Sequence, residues 1–474
     1  MVRHLKRRLN FQMIFVFPTL ICIALLLGCK NKSKPSGTLS TITRSGTSYR
    51  DILKKADDFM KKSEYDSAYK YYELTNTMLR AENNWNEYLK TLLKEVDALR
   101  LKGKTDEAFQ KITEAQKILG EKFINNKGFQ ADILHRKGLL LMDRGSFDSS
   151  LVAFNQSIRT RVSATNQNDT LLAPSYNGLG TIYFYKRDYE KALNNYSIAY
   201  KLAMRRRLPE DSDLARYLQN IGIIYAQQGD YPLAEDALTS SLGIIEKISL
   251  PNDPELANRY LNMGFFLTLE YNVSEAITYF EKAEKILLEK VGSNHPDIGS
   301  LYLNIGQTYI HLADYEKALT FFNKALAIAS ENFAPGHPSI LSINMNIGYV
   351  YEKKGDFRNA LKYYELSLPE DFNNPSVIKT FSNMASLYSA MEQPIKADEF
   401  YNKAIGMAVR LFGPDHPETG LLYTRYGYFL SQENMEDKSI VWIKKALDIS
   451  LKNYGKKSRE FSNNLTHIGN YYLI

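Results

Sequence analysis

The chain has 474 residues, of which 44% are hydrophobic and 24% charged, so it can bury a core and is not an intrinsically disordered protein. Its two cysteines, Cys22 and Cys29, exclude a disulfide framework, and no cysteines and histidines recur at the spacing of a zinc site. The formal net charge is +7, but four of the basic residues that contribute to it lie within the first eight positions.

The first thirty residues have the layout of a secretion signal. They begin with four basic residues, Arg3, Lys6, Arg7 and Arg8. An apolar run from Phe11 to Leu27 follows, and it ends in "LLGC", which resembles the bacterial lipobox. The resemblance implies a signal peptide over residues 1–28 and lipidation at Cys29 after cleavage. The alternative is an uncleaved signal anchor, for which the apolar run is marginal against the roughly 20 residues that span a bilayer.

Cleavage at this point would change the charge balance of the chain. It would leave 56 basic against 53 acidic residues, a net charge of +3, so no basic stripe remains and nucleic acid binding is not predicted. Residues 29–48 are rich in Ser, Thr, Lys and Gly, which predicts a flexible tether. The sequence therefore predicts a lipid-anchored protein of the bacterial cell envelope that faces the periplasm or the cell exterior.

A spacing of 42 residues organises the remainder, residues 49–474. Six glycines share it: Gly138, Gly180, Gly222, Gly264, Gly306 and Gly348. The same register continues upstream with Val96 and, 40 residues earlier, Ala56, and downstream, after one step of 37 residues, with Ala385, Gly427 and Gly469. We term these positions the register residues. A fixed spacing of this length indicates an internal repeat made of one supersecondary unit.

Each register residue up to Gly427 is followed twelve positions later by a second small residue and, four positions after that, usually by an apolar or aromatic one. The segment "NIGQTYIHLADYEKALTFFNKAL" around Gly306 shows this pattern, which resembles the tetratricopeptide repeat. The resemblance predicts an all-α, right-handed superhelical solenoid of antiparallel helix pairs, with about ten repeats and a terminal half repeat. We expect Gly306 to meet Ala318 across the pair, with Tyr309 and Phe322 filling the space beside them.

Three connections between repeats carry a His-Pro pair, at His295, His337 and His416. In "FGPDHPETG" the histidine stands beside carboxylates, as in a metal or catalytic site. However, proline suits the first position of a helix, and Asp253 replaces the histidine in "NDP", so we expect Gly and Asp or Asn before the pair to turn the chain and cap the helix. One repeat separates successive copies, so a metal site is not predicted. These joints and the extended unit resemble kinesin light chain repeats.

The first helix of each repeat is predicted to present a largely polar stripe to the inner groove of the solenoid. This inner stripe comprises the residues six and two before, and one and five after, each register residue. The position two before it holds asparagine in five successive repeats, here termed the asparagine row: Asn220, Asn262, Asn304, Asn346 and Asn383. In kinesin-light-chain-type repeats, matching asparagines bind the backbone of a cargo peptide, so the resemblance implies peptide binding here. The alternative is that each asparagine bonds a neighbouring helix and recurs through duplication.

Basic residues on the stripe favour an acidic partner or a C-terminal carboxylate; they are Arg216, Lys353, Lys379 and Arg425. No phosphate loop, nucleophile elbow or zinc-protease motif is found, so no enzymatic activity, cofactor or small-molecule substrate is predicted. The sequence thus predicts a membrane-anchored scaffold that binds a protein or extended peptide. The alternative is the input or sensor region of a truncated signalling protein or peptidase whose catalytic domain would follow residue 474.

Overall fold

The computed structural model describes residues 48–62, 64–165, 168–186, 188–206, 208, 211–369, 376–454 and 459–472, and within these ranges it consists of α-helices and one short 3-10 helix at Thr170–Leu172. Odd-numbered helices are termed A helices: α1 Tyr49–Lys61, α3 Trp85–Leu101, α5 Lys127–Asp143, α7 Ala173–Tyr185, α9 Ser212–Gln228, α11 Pro254–Leu269, α13 Pro296–His311, α15 Pro338–Lys353, α17 Ser376–Ala390, α19 Pro417–Gln432 and α21 Arg459–Tyr472. Even-numbered helices are termed B helices: α2 Tyr65–Ala81, α4 Thr105–Lys122, α6 Phe147–Ala164, α8 Tyr189–Met204, α10 Tyr231–Ile248, α12 Val273–Val291, α14 Tyr315–Asn332, α16 Phe357–Leu366, α18 Pro394–Phe412 and α20 Glu436–Tyr454.

Each A helix packs against the B helix that follows it, and each B helix packs against the next A helix. The result is an all-α solenoid of ten antiparallel pairs followed by the single helix α21, which confirms the predicted architecture and repeat number. Most A helices also contact the A helix of the next repeat, whereas no two successive B helices among the described residues make a comparable contact. Because members of the inner layer of a curved stack lie closer together, the A helices form the inner surface.

The register residues sit where the two helices of a pair approach most closely. A Cβ atom added at Gly306 would lie 2.5 Å from Cε1 of Phe322, a side chain that is fully buried. At Gly138, where the facing residue is Ser150, the serine hydroxyl donates a 2.6 Å hydrogen bond to the glycine carbonyl. The predicted close approach of the two helices is therefore confirmed at Gly306, and the ring on helix B excludes larger side chains at Gly138, Gly180, Gly264, Gly306 and Gly348.

The two aromatic residues expected beside Gly306 both pack there. Phe322 is fully buried next to the glycine, and Tyr309 is half-buried against the cluster that contains Ala318 and Phe322. The ring of Tyr309 also stacks on Phe321 of α14, with ring centroids 5.6 Å apart.

The 37-residue step in the register has a structural counterpart. Helix α16 has only 10 residues, whereas the other B helices have 16 to 19. Among the described residues, α16 and α17 share the smallest contact of any two successive α-helices. The irregularity in sequence thus corresponds to a B helix shortened by about two turns.

Antiparallel pairing gives the solenoid two edges. The turn edge carries the short turns from an A helix to its B helix, and the connection edge carries the connections from a B helix to the next A helix. Ion pairs join neighbouring repeats along the turn edge, and they include Lys102–Asp66, Arg144–Asp106, Lys186–Asp148 at 2.6 Å and Lys354–Glu316 at 2.5 Å. On the connection edge, Asn294 donates 2.6 Å to Glu331 and its carbonyl accepts 2.9 Å from Asn332, so successive connections lie side by side.

The predicted signal peptide, Cys29 and nearly all of the predicted tether lie outside the described residues. The description begins at Ser48, whose side chain caps α1 in a capping box with Asp51. Within the described ranges, none of the helices combines the length and the hydrophobicity that crossing a lipid bilayer requires.

Candidate peptide-binding groove

The His-Pro connections are helix caps. In each of α13, α15 and α19 the proline is the first helical residue, and Nδ1 of the preceding histidine accepts a hydrogen bond from the backbone N–H two positions later. These three bonds are each 3.2 Å long, and Asp253 makes the equivalent bond with its carboxylate at 2.9 Å. The sequence interpretation assigned the cap to the preceding Gly, Asp or Asn; the cap is instead the histidine itself. The signal that could have shown this was Asp253 at the histidine position.

Capping determines the tautomer and the protonation state of these histidines. An Nδ1 that accepts a hydrogen bond from the backbone requires the proton to sit on Nε2 of a neutral imidazole. His337 also stacks on Phe333, with ring centroids 3.9 Å apart, and burial lowers its pKa. No group of three or more His, Cys, Asp or Glu side chains among the described residues is arranged to hold a metal ion.

The inner stripe lies on the side of each A helix that faces away from its B helix, because two residues correspond to about 200° of helical rotation from the register residue. Most of the asparagine row is half-buried there, but Asn346 is only 1% exposed. The row therefore lines the inner surface, yet its members differ in how far a ligand could reach them.

Two members of the row are used to join neighbouring A helices. Nδ2 of Asn220 donates a 2.8 Å hydrogen bond to Oδ1 of Asn177 on α7. Oδ1 of Asn383 accepts a 3.2 Å hydrogen bond from Nη1 of Arg425 on α19, and that same nitrogen donates 3.0 Å to the hydroxyl of Ser382. Asn220 and Asn383 therefore bond a neighbouring helix, as the alternative interpretation of the asparagine row predicted.

The three central members make no such contact with a neighbouring A helix. Nδ2 of Asn262 donates 2.9 Å to the carbonyl of Asn258, and Nδ2 of Asn346 donates 2.8 Å to the carbonyl of Ser342, in both cases one turn earlier in the same helix. Within the described residues, the carboxamide of Asn304 has no hydrogen bond, and Oδ1 of the buried Asn346 has no donor. The polar capacity of Asn262, Asn304 and Asn346 is therefore not exhausted by the fold.

The corresponding surface of the first repeats is occupied by ion pairs between A helices. Lys94, two positions before its register residue, pairs with Asp57 of α1 at 2.7 Å, and Arg136 pairs with Asp97 of α3 at the same distance. Arg100 of α3 pairs with Asp143 of α5 at 3.2 Å. These pairs neutralise the charges of their own members and join α1, α3 and α5 to one another.

The later part of the inner stripe has a different charge balance. In α9, α11, α13, α15, α17 and α19 no stripe position holds Asp or Glu, whereas Arg216, Lys353, Lys379 and Arg425 are basic. Arg216 contacts Asp213, and Nζ of Lys353 lies 3.9 Å from Oε1 of Glu352, both of which lie outside the stripe. The surface that the asparagine row crosses is thus polar to cationic.

Glu352 is an acidic group beside this surface, and it does not belong to the inner stripe because it lies one position before Lys353. Its carboxylate accepts a 2.6 Å hydrogen bond from the hydroxyl of Tyr364, which reaches it from α16. Burial raises the pKa of Glu352, and the neighbouring Lys353 and Arg425 oppose that effect. The group anchors a buried tyrosine and is only partly available to solvent, so it does not cancel the cationic character of the stripe.

Ten antiparallel helix pairs whose inner helices carry a polar stripe define a repeat solenoid, an architecture that offers an extended concave surface to its partners. The sequence pattern of the family described as tetratricopeptide repeat matches residues 171–247, 255–331, 297–369 and 376–472, which together exceed half of the chain. The chain therefore belongs to the tetratricopeptide repeat family, and its function class is that of a scaffold for protein interactions.

Several solved structures have a similar fold. A Rap protein complexed with Competence and Sporulation Factor is 16% identical, with 78% of this chain and 99% of that chain covered and a TM-score of 0.56. The apo form of the quorum sensor NprR from B. thuringiensis is 14% identical, with 76% and 98% covered and a TM-score of 0.53. Repeats of a kinesin light chain from Podosopora anserina are 19% identical, with 41% and 95% covered and a TM-score of 0.35. No curated protein matches the chain in sequence.

Proposed function

We propose that the chain is a membrane-anchored, non-catalytic scaffold that binds an extended peptide, or an extended segment of a protein, in the inner groove of α9 to α19. The observation that carries this proposal is the unused polar capacity of the central asparagines on a stripe without acidic residues. A row of carboxamides can both donate to and accept from a peptide backbone, so it suits a partner held by its main chain.

Within the asparagine row, the members contribute differently to this proposal. Asn262 and Asn304 are half-exposed and meet a ligand directly. Asn346 is buried, and its free Oδ1 needs a small movement of the surrounding side chains before a donor can reach it. Asn220 and Asn383 would have to exchange their contacts with Asn177 and Arg425 for contacts with the ligand.

The charge of the later stripe favours a partner with acidic side chains or a free C-terminal carboxylate. Arg216, Lys353, Lys379 and Arg425 supply cations along the groove, and arginine binds carboxylates in a bidentate manner. The Rap protein with a similar fold is described in complex with a factor, which supports ligand binding by a solenoid of this kind.

The membrane anchor in this proposal is the acylated Cys29 implied by the lipobox resemblance, in the envelope of a bacterial cell. Residues 29–48 would connect it to α1 at Ser48. The anchor and the groove are separate parts of the proposal, since the first depends on the N-terminal segment and the second on α9 to α19.

The experiment that tests the groove compares three forms of the mature chain in pull-downs from a membrane extract. One carries Asn262→Ala, Asn304→Ala and Asn346→Ala. The matched control carries Asn155→Ala, Asn323→Ala and Asn402→Ala, which changes three exposed asparagines on B helices. We expect partners recovered by the unchanged chain and by the control to be lost with the groove variant. Equal recovery by all three forms would leave the asparagine row with a packing role only.

A further inference from the structure

Four successive connections on the connection edge each expose an aliphatic side chain. Ile124, Leu171, Leu208 and Leu250 are 74%, 61%, 58% and 71% exposed, respectively. Single exposed aliphatic residues are common on protein surfaces, but their presence in four neighbouring connections gives a row along one edge. Ile124, Leu208 and Leu250 each lie 14 residues before a register residue, and Leu171 lies in the short 3-10 helix of its longer connection. We term these four residues the aliphatic row. The later connections, at residues 292–295, 334–337 and 413–416, carry no exposed aliphatic side chain.

Basic residues flank the aliphatic row. The exposed side chains of Lys127, Lys201, Arg205 and Lys247 lie at the helix ends beside it, and none of them forms an ion pair with a described residue. The turn edge is different, because Lys102, Arg144 and Lys186 each pair there with an aspartate of the preceding repeat. Among the described residues of the repeats that carry the aliphatic row, the four cations beside it are therefore unpaired, whereas these three cations of the turn edge are neutralised.

The N-terminal segment joins the solenoid at this same edge. Ser48 caps the start of α1, and every A helix starts on the connection edge because each connection leads into one. If residues 29–48 are the flexible tether of the proposed function, its ends would lie about 24 Å apart on average. Helix α10, with 18 residues, is about 27 Å long, so an anchor at Cys29 holds the connection edge closer to a membrane than the turn edge.

The turn edge also exposes apolar side chains, including Tyr271, Leu312 and Ile395. In the repeats that carry the aliphatic row, however, the turn-edge cations Lys102, Arg144 and Lys186 are paired with aspartates, and the tether joins the opposite edge. Exposed apolar area alone would not distinguish the two edges. Its combination with free cations and with the position of Ser48 does.

We propose that the aliphatic row rests on an anionic phospholipid surface. Its four side chains enter the interfacial region, and the flanking lysines and arginine face lipid phosphates, the arrangement by which amphipathic surfaces bind membranes without spanning them. The inference rests on the lipid anchor of the proposed function, which brings the edge to the membrane. It orients the A helices across the membrane plane, so that the groove of α9 to α19 opens beside the bilayer.

The test uses the mature, acylated chain reconstituted into vesicles of phosphatidylglycerol and phosphatidylethanolamine in equal parts. Cys22 and Cys29 are the only cysteines, and after cleavage and acylation neither offers a free thiol, so one introduced cysteine can be labelled alone with an environment-sensitive fluorophore. Leu250→Cys places the label in the aliphatic row. Leu233→Cys is the matched control, because this leucine is 46% exposed at the opposite end of the same helix, α10.

We expect the label at position 250 to gain intensity and shift to shorter wavelength on vesicles, and the label at position 233 to remain unchanged. Replacing phosphatidylglycerol by phosphatidylcholine should reduce the response at 250, and no reduction would contradict the role of the cations. A response at 233, or at neither position, from chains that float with the vesicles would overturn the inference while the anchor stands. Chains that do not float would overturn both.

A second copy of the chain is the competing occupant of the row. If the label at position 250 responds to rising protein concentration in the absence of vesicles, the row is a self-association surface and the membrane assignment is wrong. Circular dichroism of both labelled variants checks that the helices are intact, which we expect because each substitution removes an exposed side chain.

Discussion

The inner stripe of the first three A helices and that of α9 to α19 occupy the same surface of one repeating scaffold, yet they are built differently. In α1, α3 and α5 the stripe holds both signs of charge, and pairs such as Lys94–Asp57 and Arg136–Asp97 connect one repeat to the next. In α9 to α19 the stripe has no acidic residue, and Asn262, Asn304 and Asn346 form no hydrogen bond with a neighbouring A helix among the described residues. The difference shows that one surface can join the repeats to each other in one region and leave polar groups without a hydrogen-bond partner in another.

Gly306→Leu tests the close contact between a register residue and its B helix, which is the packing that the repeats of both regions are taken to share. We expect the free energy of unfolding to fall by about 3 kcal/mol, because the added Cβ would lie 2.5 Å from the buried ring of Phe322. The midpoint of urea unfolding measures it. Gly469→Ala is the control, since nothing lies within 4 Å of a Cβ there and alanine favours a helix. Equal destabilisation by both substitutions would contradict the packing role of the register.

Asp97→Ala tests whether the early stripe is structural. We expect the free energy of unfolding to fall by about 2 kcal/mol. Arg136, with 20% of its side chain exposed, loses its charge-assisted hydrogen bonds to Asp97 at the junction of α3 and α5. Partner recovery in the pull-down should not change. If Asp97→Ala abolished partner binding and left the urea midpoint unaltered, the early stripe would belong to the ligand surface and the comparison would fail.

Acidification tests the caps that position the later A helices. Burial lowers the folded-state pKa of His337 from 6.5, so its cap is complete above that pH and is lost as the pH falls through the lower folded-state value. We expect the free energy of unfolding to fall by about 1 kcal/mol over that pH range. In His337→Asp the carboxylate caps α15 throughout, as Asp253 does for α11, and the loss should be smaller. Identical pH profiles for both proteins would rule out the imidazole as the cause.

Asn304→Ala is expected to have the smallest effect on stability, within about 0.5 kcal/mol, because its half-exposed carboxamide makes no hydrogen bond with a described residue. Partner recovery should nevertheless fall. This separation of binding from stability is the opposite of that expected for Asp97→Ala, so the two variants together sharpen the comparison. A large loss of stability in Asn304→Ala would place this residue with the structural positions of the early repeats.

The repeat number, the helix pairing and the contact at Gly306 could be predicted from the sequence because each depends on residue size at a fixed spacing. Which asparagines form hydrogen bonds within the fold and which are buried could not be predicted from it. Asn220 bonds Asn177 and Asn346 is buried, although both occupy the same position as Asn304. Whether a carboxamide forms a hydrogen bond within the fold depends on side-chain rotamers and on the distance between adjacent A helices. Neither can be predicted from the spacing of residues in the sequence.

The histidine caps show a similar limit. Sequence reasoning placed the proline at the start of each helix correctly, because a missing N–H is harmless there. It did not recognise that an imidazole can replace a carboxylate as the acceptor, as His337 does where Asp253 stands in an earlier repeat. The capping role depends on the ring orientation, which the stacking on Phe333 fixes.

The short helix α16 has a mechanical consequence. Repeats in a solenoid support only their neighbours, so the array is no stronger under tension than its least extensive junction. The contact between α16 and α17 is that junction among the described helices. If the N-terminal end is fixed and a partner pulls on the other, we expect the array to yield between α16 and α17, with the repeats on either side still folded.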